Sequence, residues 1–498
     1  MLRVPLLAPR LAHWDAVNYA LGMHHFDIAA HQPHPPGSPY FILLGRLALA
    51  FVGDDNLALQ VVSLGASVGA VLAEYVLARK LFGPAPAILA ALILMTQPIF
   101  WGYGTTATAW TLLACLAMLI TLTCLLLLRG VRQLIYPSAL LMGIASGFRA
   151  DAAVFLAPLW LWSLRRATSG WREQMIAVVV ACVSGLVWLV PVVASAGGLR
   201  AWSSRLLALF PTTDSSLAAI TRQMAANTAI SFGTLTLVIG LPVLLAVLVG
   251  RDRIRCWWRE TVQSEMASFW ALAILPGFIF LWLIDSTEPG HDLIFIGCLV
   301  ALGTGVVARC APTRARLVAC GAVLLAGQIC LFLFAAPLYD RPLAWTLDSM
   351  LLNVTAGGLR QQQSALGATL TAVRARFDPH TTVVVTLVGQ DPYRFMMYYL
   401  PEFRVVRLDA GAHSVLLAQD RQQGNWIAAD ACPLADSQVR DIVWVLSQPT
   451  EPGTVPSEAS LVPGETADAP LQVWYTHMVT SGPEYLGFHF GRGDCLLS

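Results

Sequence analysis

The sequence predicts an α-helical polytopic membrane protein with about ten spans, followed by a small C-terminal α/β domain outside the membrane. Hydrophobic residues make up 56% of the 498 residues and charged residues only 12%, whereas soluble domains carry about 25% charged residues. The mean hydropathy is +0.64, and apolar runs long enough to cross a bilayer recur as far as residue 336. Beyond residue 377 the pattern changes to short β-branched runs that are separated by Gly, Pro and Asp.

The apolar runs define the transmembrane part, because a helix needs about 20 apolar residues to cross the hydrocarbon core. Residues 134–164 form a longer apolar stretch that Phe148-Arg149-Ala150-Asp151 interrupts, and we interpret it as two short helices that meet at a polar elbow. Residues 38–52 are apolar but short, so a half-buried helix is an alternative to a span there. Single spans are predicted at 57–80, 84–103, 106–128, 174–195, 228–249, 267–284, 292–309 and 317–336.

The basic residues of the loops predict the orientation, since cytoplasmic loops carry an excess of Lys and Arg. If the crossings alternate, one set of loops carries fourteen such residues and the other set carries four. We therefore assign the first set to the cytoplasm, which places the C-terminal region from about residue 337 outside. The fourteen are Arg79, Lys80, Arg129, Arg132, Arg165, Arg166, Arg172, Arg251, Arg253, Arg255, Arg259, Arg309, Arg314 and Arg316, and the four are Arg149, Arg200, Arg205 and Arg222.

This orientation places the polar segment 12–37 outside the membrane, ahead of the first predicted crossing. The opening residues do not show the apolar region and small-residue cleavage site of a signal peptide that would carry this segment across. We therefore expect a further apolar helix of about 20 residues ahead of Met1, with Val4-Pro5-Leu6-Leu7 as its tail.

The C-terminal region is predicted to be a soluble α/β domain, since β-branched runs bounded by turn residues are typical of strands. We predict strands at 382–388, 404–408, 442–446 and 471–475, with a helix at 393–400 between the first two. Its two cysteines, Cys432 and Cys495, could form a disulfide in an oxidising compartment.

The chain is thus predicted to have four parts. Residues 1–56 form the first extracytoplasmic loop, and residues 57–336 form the transmembrane helical domain, which contacts membrane lipids. Residues 337–376 are a linker with an amphipathic helix that continues to about 377, and residues 377–498 are the soluble extracytoplasmic domain. The net charge of +1 gives no polyelectrolyte signal, so nucleic acid is not an expected partner. No CxxC or Cys/His spacing indicates a metal site.

Residues 13–40 hold the most concentrated group of chemically active side chains. Asp15 lies within His13-Trp14-Asp15-Ala16-Val17-Asn18-Tyr19, and Asp27, His31 and His34-Pro35-Pro36-Gly37 follow. A carboxylate at the interface can accept the proton of an acceptor hydroxyl while that oxygen attacks an anomeric carbon. Prolines on both sides of Gly37 restrict this loop, because each proline restricts itself and its predecessor. The alternative is an ordinary solvated loop, which is the usual location of a single Asp.

This pattern resembles the GT-C superfamily of polyprenyl-phosphate-sugar-dependent glycosyltransferases, which includes protein O-mannosyltransferases and the aminoarabinose transferase of lipid A. The matching residues are Asp15 within Trp-Asp-Ala-Val-Asn-Tyr and the turn His34-Pro35-Pro36-Gly37, while the aromatic Tyr40 comes later than in the family pattern. The resemblance implies that Asp15 is the catalytic base and that the His34-Pro35-Pro36-Gly37 segment shapes the site, and Asp27 and His31 in the same loop are supporting candidates. It also implies a spanning helix ahead of the Asp motif, a run of helices and a soluble outer tail.

The elbow at residues 147–151 is a second candidate site. An arginine between two apolar helices is costly and is usually paired or functional, and its planar fork suits a phosphate group. Arg149 is therefore the candidate ligand of the donor phosphate, with Asp151 beside it. The alternative is a local Arg149–Asp151 ion pair that simply ends two helices.

A third candidate is the outer loop at residues 285–292, where Asp285, Glu288, His291 and Asp292 lie close together in sequence. Glu288 and His291 could face the acceptor or help to hold a divalent cation, although a metal site needs more ligands than this loop supplies. The alternative is a polar loop that keeps two helix ends hydrated.

Together these features predict a glycosyltransferase of the cell envelope, a hexosyl or pentosyl transferase in a bacterial plasma membrane. It would move a sugar from a polyprenyl-phosphate donor to a hydroxyl of a lipid, glycan or protein on the extracytoplasmic face, with inversion. Two alternatives are a secondary transporter and a non-catalytic scaffold that presents the C-terminal domain. Transporters place ionisable groups near the bilayer midplane and often contain inverted repeats, whereas here these groups lie in loops on one face.

Overall fold

The structure, a computed structural model, contains two compact units: a helical unit that ends at Gly358 and a mixed α/β unit that begins at Leu359. The described residues are 3–168, 170–207, 217–240, 242, 244, 265–283, 288–311, 313–335, 353–387, 392–409, 414–420, 425–427, 439–447, 459–462, 471–477, 484–485 and 488–489.

The helical unit begins with a short α1 in the motif loop and continues through long apolar helices. Its described helices are α1 (Trp14–His24), α2 (Pro39–Val52), α3 (Asp55–Phe82), α4 (Pro84–Thr96), α5 (Pro98–Tyr103), α6 (Trp110–Leu128), α7 (Ile135–Phe148), α8 (Ala150–Ala167), α9 (Trp171–Ser195), α10 (Leu199–Leu207), α11 (Leu217–Leu235), α12 (Glu265–Leu283), α13 (Leu293–Cys310) and α14 (Arg314–Phe334). A single 3-10 turn, Pro289–Asp292, precedes α13.

Local sequence signals set the helix boundaries. Asp54 caps α3 by accepting a hydrogen bond from the Leu57 amide, which satisfies one of the free amides at a helix start. Gln97 caps α5 in the same way through the Phe100 amide, and Pro98 occupies its first turn, where a missing N–H costs nothing. Arg149 has an extended backbone (φ −148°, ψ 109°) and so ends α7 before α8 begins.

Six of the described helices are long and apolar enough to cross a membrane: α3, α6, α9, α12, α14 and the segment Pro289–Cys310, which contains α13. The predicted count of ten is therefore not confirmed. The apolar run 84–103 is divided at Gln97 into helices of 13 and 6 residues. The run 134–164 is divided at Arg149, as predicted, into helices of 14 and 18 residues, and the run 228–249 extends beyond the described residues.

The exposure of large apolar side chains agrees with a membrane environment. Phe51, Val187 and Val318 are 89%, 63% and 69% exposed, whereas soluble proteins rarely expose large contiguous apolar patches. These residues lie on α2, α9 and α14. In contrast, α6 and α13 are mostly buried, so they form the core of the helical unit.

A row of buried polar residues on α3 fixes the turn between α5 and α6. The Gln60 amide donates to the carbonyls of Ala8 and Thr105 at 2.8 and 3.2 Å, and the Ser63 hydroxyl donates to the Thr108 carbonyl at 2.6 Å. The turn needs these partners because buried backbone carbonyls are costly when unpaired. These hydrogen bonds therefore fix the positions of Tyr103, the last residue of α5, and Trp110, the first residue of α6.

The second unit contains α15 (Ala356–Arg376), most of which lies beyond Gly358, together with α16 (Pro392–Tyr399) and a seven-stranded mixed sheet in the order β4-β3-β2-β1-β5-β7-β6. The central β1 is parallel to β2 and β5, and the other pairs are antiparallel. The strands are β1 (Thr382–Leu387), β2 (Arg404–Asp409), β3 (Ser414–Asp420), β4 (Asn425–Ile427), β5 (Asp441–Ser447), β6 (Ser460–Leu461) and β7 (Leu471–His477), and the separate hairpin is β8 (Glu484–Tyr485) with β9 (Phe488–His489).

The four predicted strands and the predicted helix of this unit are confirmed as β1, β2, β5, β7 and α16. The amphipathic helix predicted around 361–377 is α15. The proposed partners of the disulfide, Cys432 and Cys495, both lie outside the described residues.

Candidate active site

The site is built around Asp15 at the start of α1. His13 precedes this helix in an extended conformation, and its Nδ1 accepts a hydrogen bond from the Asp15 amide at 3.1 Å. His13 thus acts as the helix cap, a role usually taken by Ser, Thr, Asp or Asn. The Asp15 side chain is largely buried, with a residue exposure of 7%.

The His-Pro-Pro-Gly turn brings a second imidazole to the same carboxylate. His34 Nδ1 lies 3.4 Å from Asp15 Oδ1, and the His34 ring packs against the rings of Trp14 and Tyr19 at centroid distances of 5.7 and 5.4 Å. Gly37 has a φ of +118°, and a Cβ there would contact Ile28 and Val192 at 3.1 Å. Glycine is therefore required for this turn, because other residues rarely adopt that backbone conformation.

The elbow between α7 and α8 supplies Arg149. Its Nε and Nη2 donate to the two carboxylate oxygens of Asp151 at 3.1 and 2.6 Å. The guanidinium also lies over the ring of Trp110, 3.8 Å from its centroid, which is a cation–π contact. The local ion pair considered from the sequence is therefore present, and it leaves Nη1 as the nitrogen that Asp151 does not engage.

The 3-10 turn Pro289–Asp292 and the residue before it close the site from a distant part of the chain. Glu288 Oε2 accepts a hydrogen bond from His13 Nε2 at 2.8 Å, and its Oε1 accepts one from the Tyr103 hydroxyl. The His291 ring packs edge-on against Trp110 with a centroid distance of 4.4 Å. Since His13 Nδ1 accepts the Asp15 amide, Nε2 must carry the proton that it shares with Glu288.

The electrostatics favour an ionised Asp15. Burial raises the pKa of the Asp15 carboxyl, but His34, His13, Arg149 and His291 together lower it by more and hold that pKa below its ordinary value. Burial lowers the pKa of Arg149, but Asp151, Tyr19 and Asp15 together outweigh burial and raise that pKa above its ordinary value. A negative Asp15 and a positive Arg149 therefore stand in one electrostatic environment.

The structure brings together most of the residues proposed from the sequence. Asp15, His34, Arg149, Asp151, Glu288 and His291 all belong to this connected group. His31 lies at its edge, with its ring 6.3 Å from that of Trp14. Asp27 instead makes its hydrogen bonds within its own loop, to the Ala29 amide and to the backbone of Gln32, so its role is to shape that loop. Asp285 lies outside the described residues.

Three residues of the site had no role assigned from the sequence: His13, Tyr103 and Trp110. Tyr103 ends α5 and Trp110 begins α6, and both lay inside runs that were interpreted only as apolar spans. Aromatic residues at the ends of an apolar run are a weak signal, because aromatic belts occupy such positions at membrane interfaces. The third residue, His13, opens the Asp15 stretch in the sequence, but no role was assigned to it there.

Within the described parts of the chain, no three His, Cys, Asp or Glu side chains converge as the ligands of a metal ion would. Glu288 and His291, the pair considered for a divalent cation, are bonded instead to Tyr103, His13 and the Trp110 ring.

Comparisons with known proteins agree with this fold. Residues 33–194 match the family described as dolichyl-phosphate-mannose-protein mannosyltransferase. The fold is similar to two crystal structures of ArnT from Cupriavidus metallidurans, one bound to undecaprenyl phosphate and one in the apo state. The TM-score is 0.58 in both cases, the sequence identities are 13% and 14%, and 95% of each chain is covered. No curated protein sequence matches this chain.

The fold is that of a multi-pass membrane protein, and both the matched segment and the overall fold are similar to membrane glycosyltransferases. The resemblance to the GT-C superfamily that the sequence predicted is confirmed, since the matched family and ArnT both belong to it.

Proposed function

We propose that this protein transfers a sugar from a polyprenyl-phosphate donor to an acceptor hydroxyl on the extracytoplasmic face of the membrane, with inversion at the anomeric carbon. The acceptor is a lipid, a glycan or a protein. The observation that carries the proposal is the buried Asp15 carboxylate, which His34 contacts at 3.4 Å and on which the charge of Arg149 acts.

The reaction needs one base and one phosphate ligand. The acceptor oxygen gives its proton to Asp15 and bonds to the anomeric carbon from the face opposite the phosphate. The bond between that carbon and the phosphate oxygen breaks, and the phosphate leaves with the electron pair. Because a phosphate is a stable anion, it needs little protonation, and a positioned general base supplies about 10²–10⁴-fold of rate.

Arg149 is proposed to bind the donor phosphate through the Nη1 side of its guanidinium, since Nε and Nη2 are bonded to Asp151. Asp151 and the Trp110 ring would hold the guanidinium in place before the donor arrives. A positive group held ready in this way stabilises charge on the leaving group without reorganisation. A divalent cation could add to this charge.

The proposed orientation places the Asp15 loop and the α/β unit outside the cytoplasm. The excess of Lys and Arg in the set of loops assigned to the cytoplasm supports this orientation. The lipid phosphate found in one ArnT structure is of the chemical class proposed here for the donor.

The test is transfer by the purified protein in lipid vesicles. A panel of radiolabelled polyprenyl-phosphate sugars is offered with lipid, glycan and peptide acceptors, and wild type is compared with Asp15→Asn. We expect labelled product and free polyprenyl phosphate with wild type only. Equal product from both proteins would refute Asp15 as base, and uptake of sugar into vesicles without a covalent product would favour a transporter.

A further inference from the structure

Next to the site, a second group of polar side chains lies buried between α11 and the turn Pro289–Asp292. Asp292 and Ser231 are each 2% exposed, and Thr234 is fully buried. Among the residues that the structure describes, neither Asp292 Oδ2 nor Ser231 Oγ has a hydrogen-bond partner. The Asp292 carboxyl lies beside the Thr234 hydroxyl and interacts with it.

The group is continuous along one face of α11. Asn227, Ser231 and Thr234 are four and three residues apart, so they follow one another on the same side of the helix. All three are buried. Thr228, one residue further along the chain from Asn227, instead bonds to the indole of Trp282. We call Asn227, Ser231, Thr234 and Asp292 the Asp292 cluster.

The cluster adjoins the site through the chain itself. Asp292 follows His291, whose ring packs against Trp110 and whose charge acts on Asp15. Trp110 in turn carries the guanidinium of Arg149. The turn Pro289–Asp292 therefore links the Asp15 and Arg149 group to the Asp292 cluster.

The chemistry of the cluster selects its ligand. A buried hydroxyl or carboxyl without a partner costs about 1–3 kcal/mol, so a group that supplies hydrogen bonds here is bound favourably. The carboxylate accepts hydrogen bonds, and the two hydroxyls and the amide both donate and accept them. A phosphate offers mainly acceptor oxygens and an acyl chain offers no polar group, so neither supplies the donors that the Asp292 oxygens and the two hydroxyls can accept. A ring that carries several hydroxyls fits all of them.

We propose that the Asp292 cluster binds the sugar ring of a substrate, with the ring hydroxyls donating to Asp292 and exchanging hydrogen bonds with Ser231 and Thr234. The inference rests on the proposed function. Such a ring has two sources, the sugar of the donor and a saccharide acceptor, and the experiment separates them.

The experiment uses the full chain in detergent and the double variant Ser231→Ala/Thr234→Val. The probes are undecaprenyl phosphate alone and undecaprenyl phosphate that carries mannose, glucose or arabinose. If the cluster binds the donor sugar, the variant loses about tenfold or more in affinity for the glycosylated lipid that wild type prefers, the worth of one to two hydrogen bonds. Its affinity for undecaprenyl phosphate alone stays unchanged, because Arg149 is intact.

If the cluster binds an acceptor saccharide, donor affinity is unchanged and the KM for that acceptor rises by a similar factor. Thr228→Val is the matched control, since it removes a hydroxyl from the same helix outside the cluster, and it should change neither quantity. Ser231→Ala alone repeats the test if the double variant unfolds at a lower temperature.

If wild type is active and the double variant keeps a normal donor affinity and a normal acceptor KM, the inference is overturned while the proposed function still stands. A wild type that neither binds glycosylated lipid nor transfers sugar would instead refute the proposed function.

Discussion

At the scale of residues, Asp15 is a buried carboxylate surrounded by the cation Arg149 and three imidazoles. Burial alone would raise its pKa, but His34, His13, Arg149 and His291 reverse that effect. An ionised carboxylate can accept a proton at neutral pH. Its negative charge repels other anions, so a phosphate does not bind beside it. The donor phosphate is therefore expected at Arg149, where positive charge faces the site.

Replacement of Asp15 by Asn keeps the shape of the side chain and removes the base. We expect turnover to fall roughly 10²–10⁴-fold, the usual contribution of general base catalysis, while donor binding stays near that of wild type. Steady-state transfer and equilibrium donor binding measure the two effects. Asp54→Asn is the matched control, because Asn also caps the start of α3, and a similar loss there would show a general effect of removing a surface carboxylate.

The pH profile tests the charges around the base. Because the pKa of Asp15 is held below its ordinary value of about 4, the acid limb of kcat/KM is expected below that value in wild type. His34→Gln removes the largest of the interactions that lower this pKa, so the limb should move to higher pH. A limb that stays in place, with activity retained, would mean that His34 does not act on the base.

Substitutions of Glu288 test whether His13 is held by a hydrogen-bond acceptor or by a negative charge. Gln at this position can still accept the His13 Nε2 proton, whereas Ala cannot. We expect Glu288→Ala to lower kcat about tenfold or more, and Glu288→Gln to retain most of it. Equal losses in the two variants would indicate that the negative charge itself is required.

At the scale of elements, the site depends on close packing between the turn Pro289–Asp292 and the start of α6. A Cβ at Gly290 would overlap the ring of Trp110, and that ring supports Arg149. Glycine at this position is therefore a packing requirement, since the absence of a side chain lets the turn approach the indole.

Gly290→Ala should displace Trp110 and with it the guanidinium of Arg149. We expect the KM for the donor to rise by about tenfold or more, because small misplacements of a binding group are costly. Gly65→Ala is the control: a Cβ there meets nothing within 4 Å, and Ala is the better helix former, so stability should be equal or higher. A normal donor KM in Gly290→Ala would show that donor binding does not depend on the position of the Trp110 ring.

At the scale of the whole molecule, α3 relates the site to the two faces of the membrane. His24 at the end of α1 bonds to Asp55 at the start of α3 at 2.9 Å. The helix continues for 28 residues to Phe82, about 42 Å at 1.5 Å per residue, which exceeds the hydrocarbon thickness of about 30 Å. The Asp15 loop and Lys80 therefore lie toward opposite ends of a span.

Cysteine labelling in intact cells tests the orientation. In a background with Cys182, Cys256, Cys330, Cys432 and Cys495 replaced by Ala, a cysteine introduced at the exposed position 29 should react with a membrane-impermeant maleimide. A cysteine at position 80, also exposed, should react only after the membrane is permeabilised. The reverse pattern would place Asp15 on the cytoplasmic side and refute the proposed face of the reaction.

Features encoded by neighbouring residues could be predicted from the sequence. Apolar runs gave the membrane class, the polar residues at 148–151 gave the break between α7 and α8, and β-branched runs gave four strands of the sheet. The Asp15 and His34 motif gave the resemblance to the glycosyltransferase superfamily. The predicted count of ten spans is not confirmed, and the division of 84–103 was not predicted, because a capping Gln97 ends a helix inside an apolar run.

The sequence by itself determined the class of protein, the helices and strands, and the candidate residues, since these depend on the periodicity and polarity of consecutive side chains. Only the tertiary structure decided which candidates meet. Glu288 bonds to His13, 275 residues earlier in the chain, whereas Asp27, only twelve residues after Asp15, makes its hydrogen bonds within its own loop. The packing of distant helices brings such groups together, and no local pattern records it.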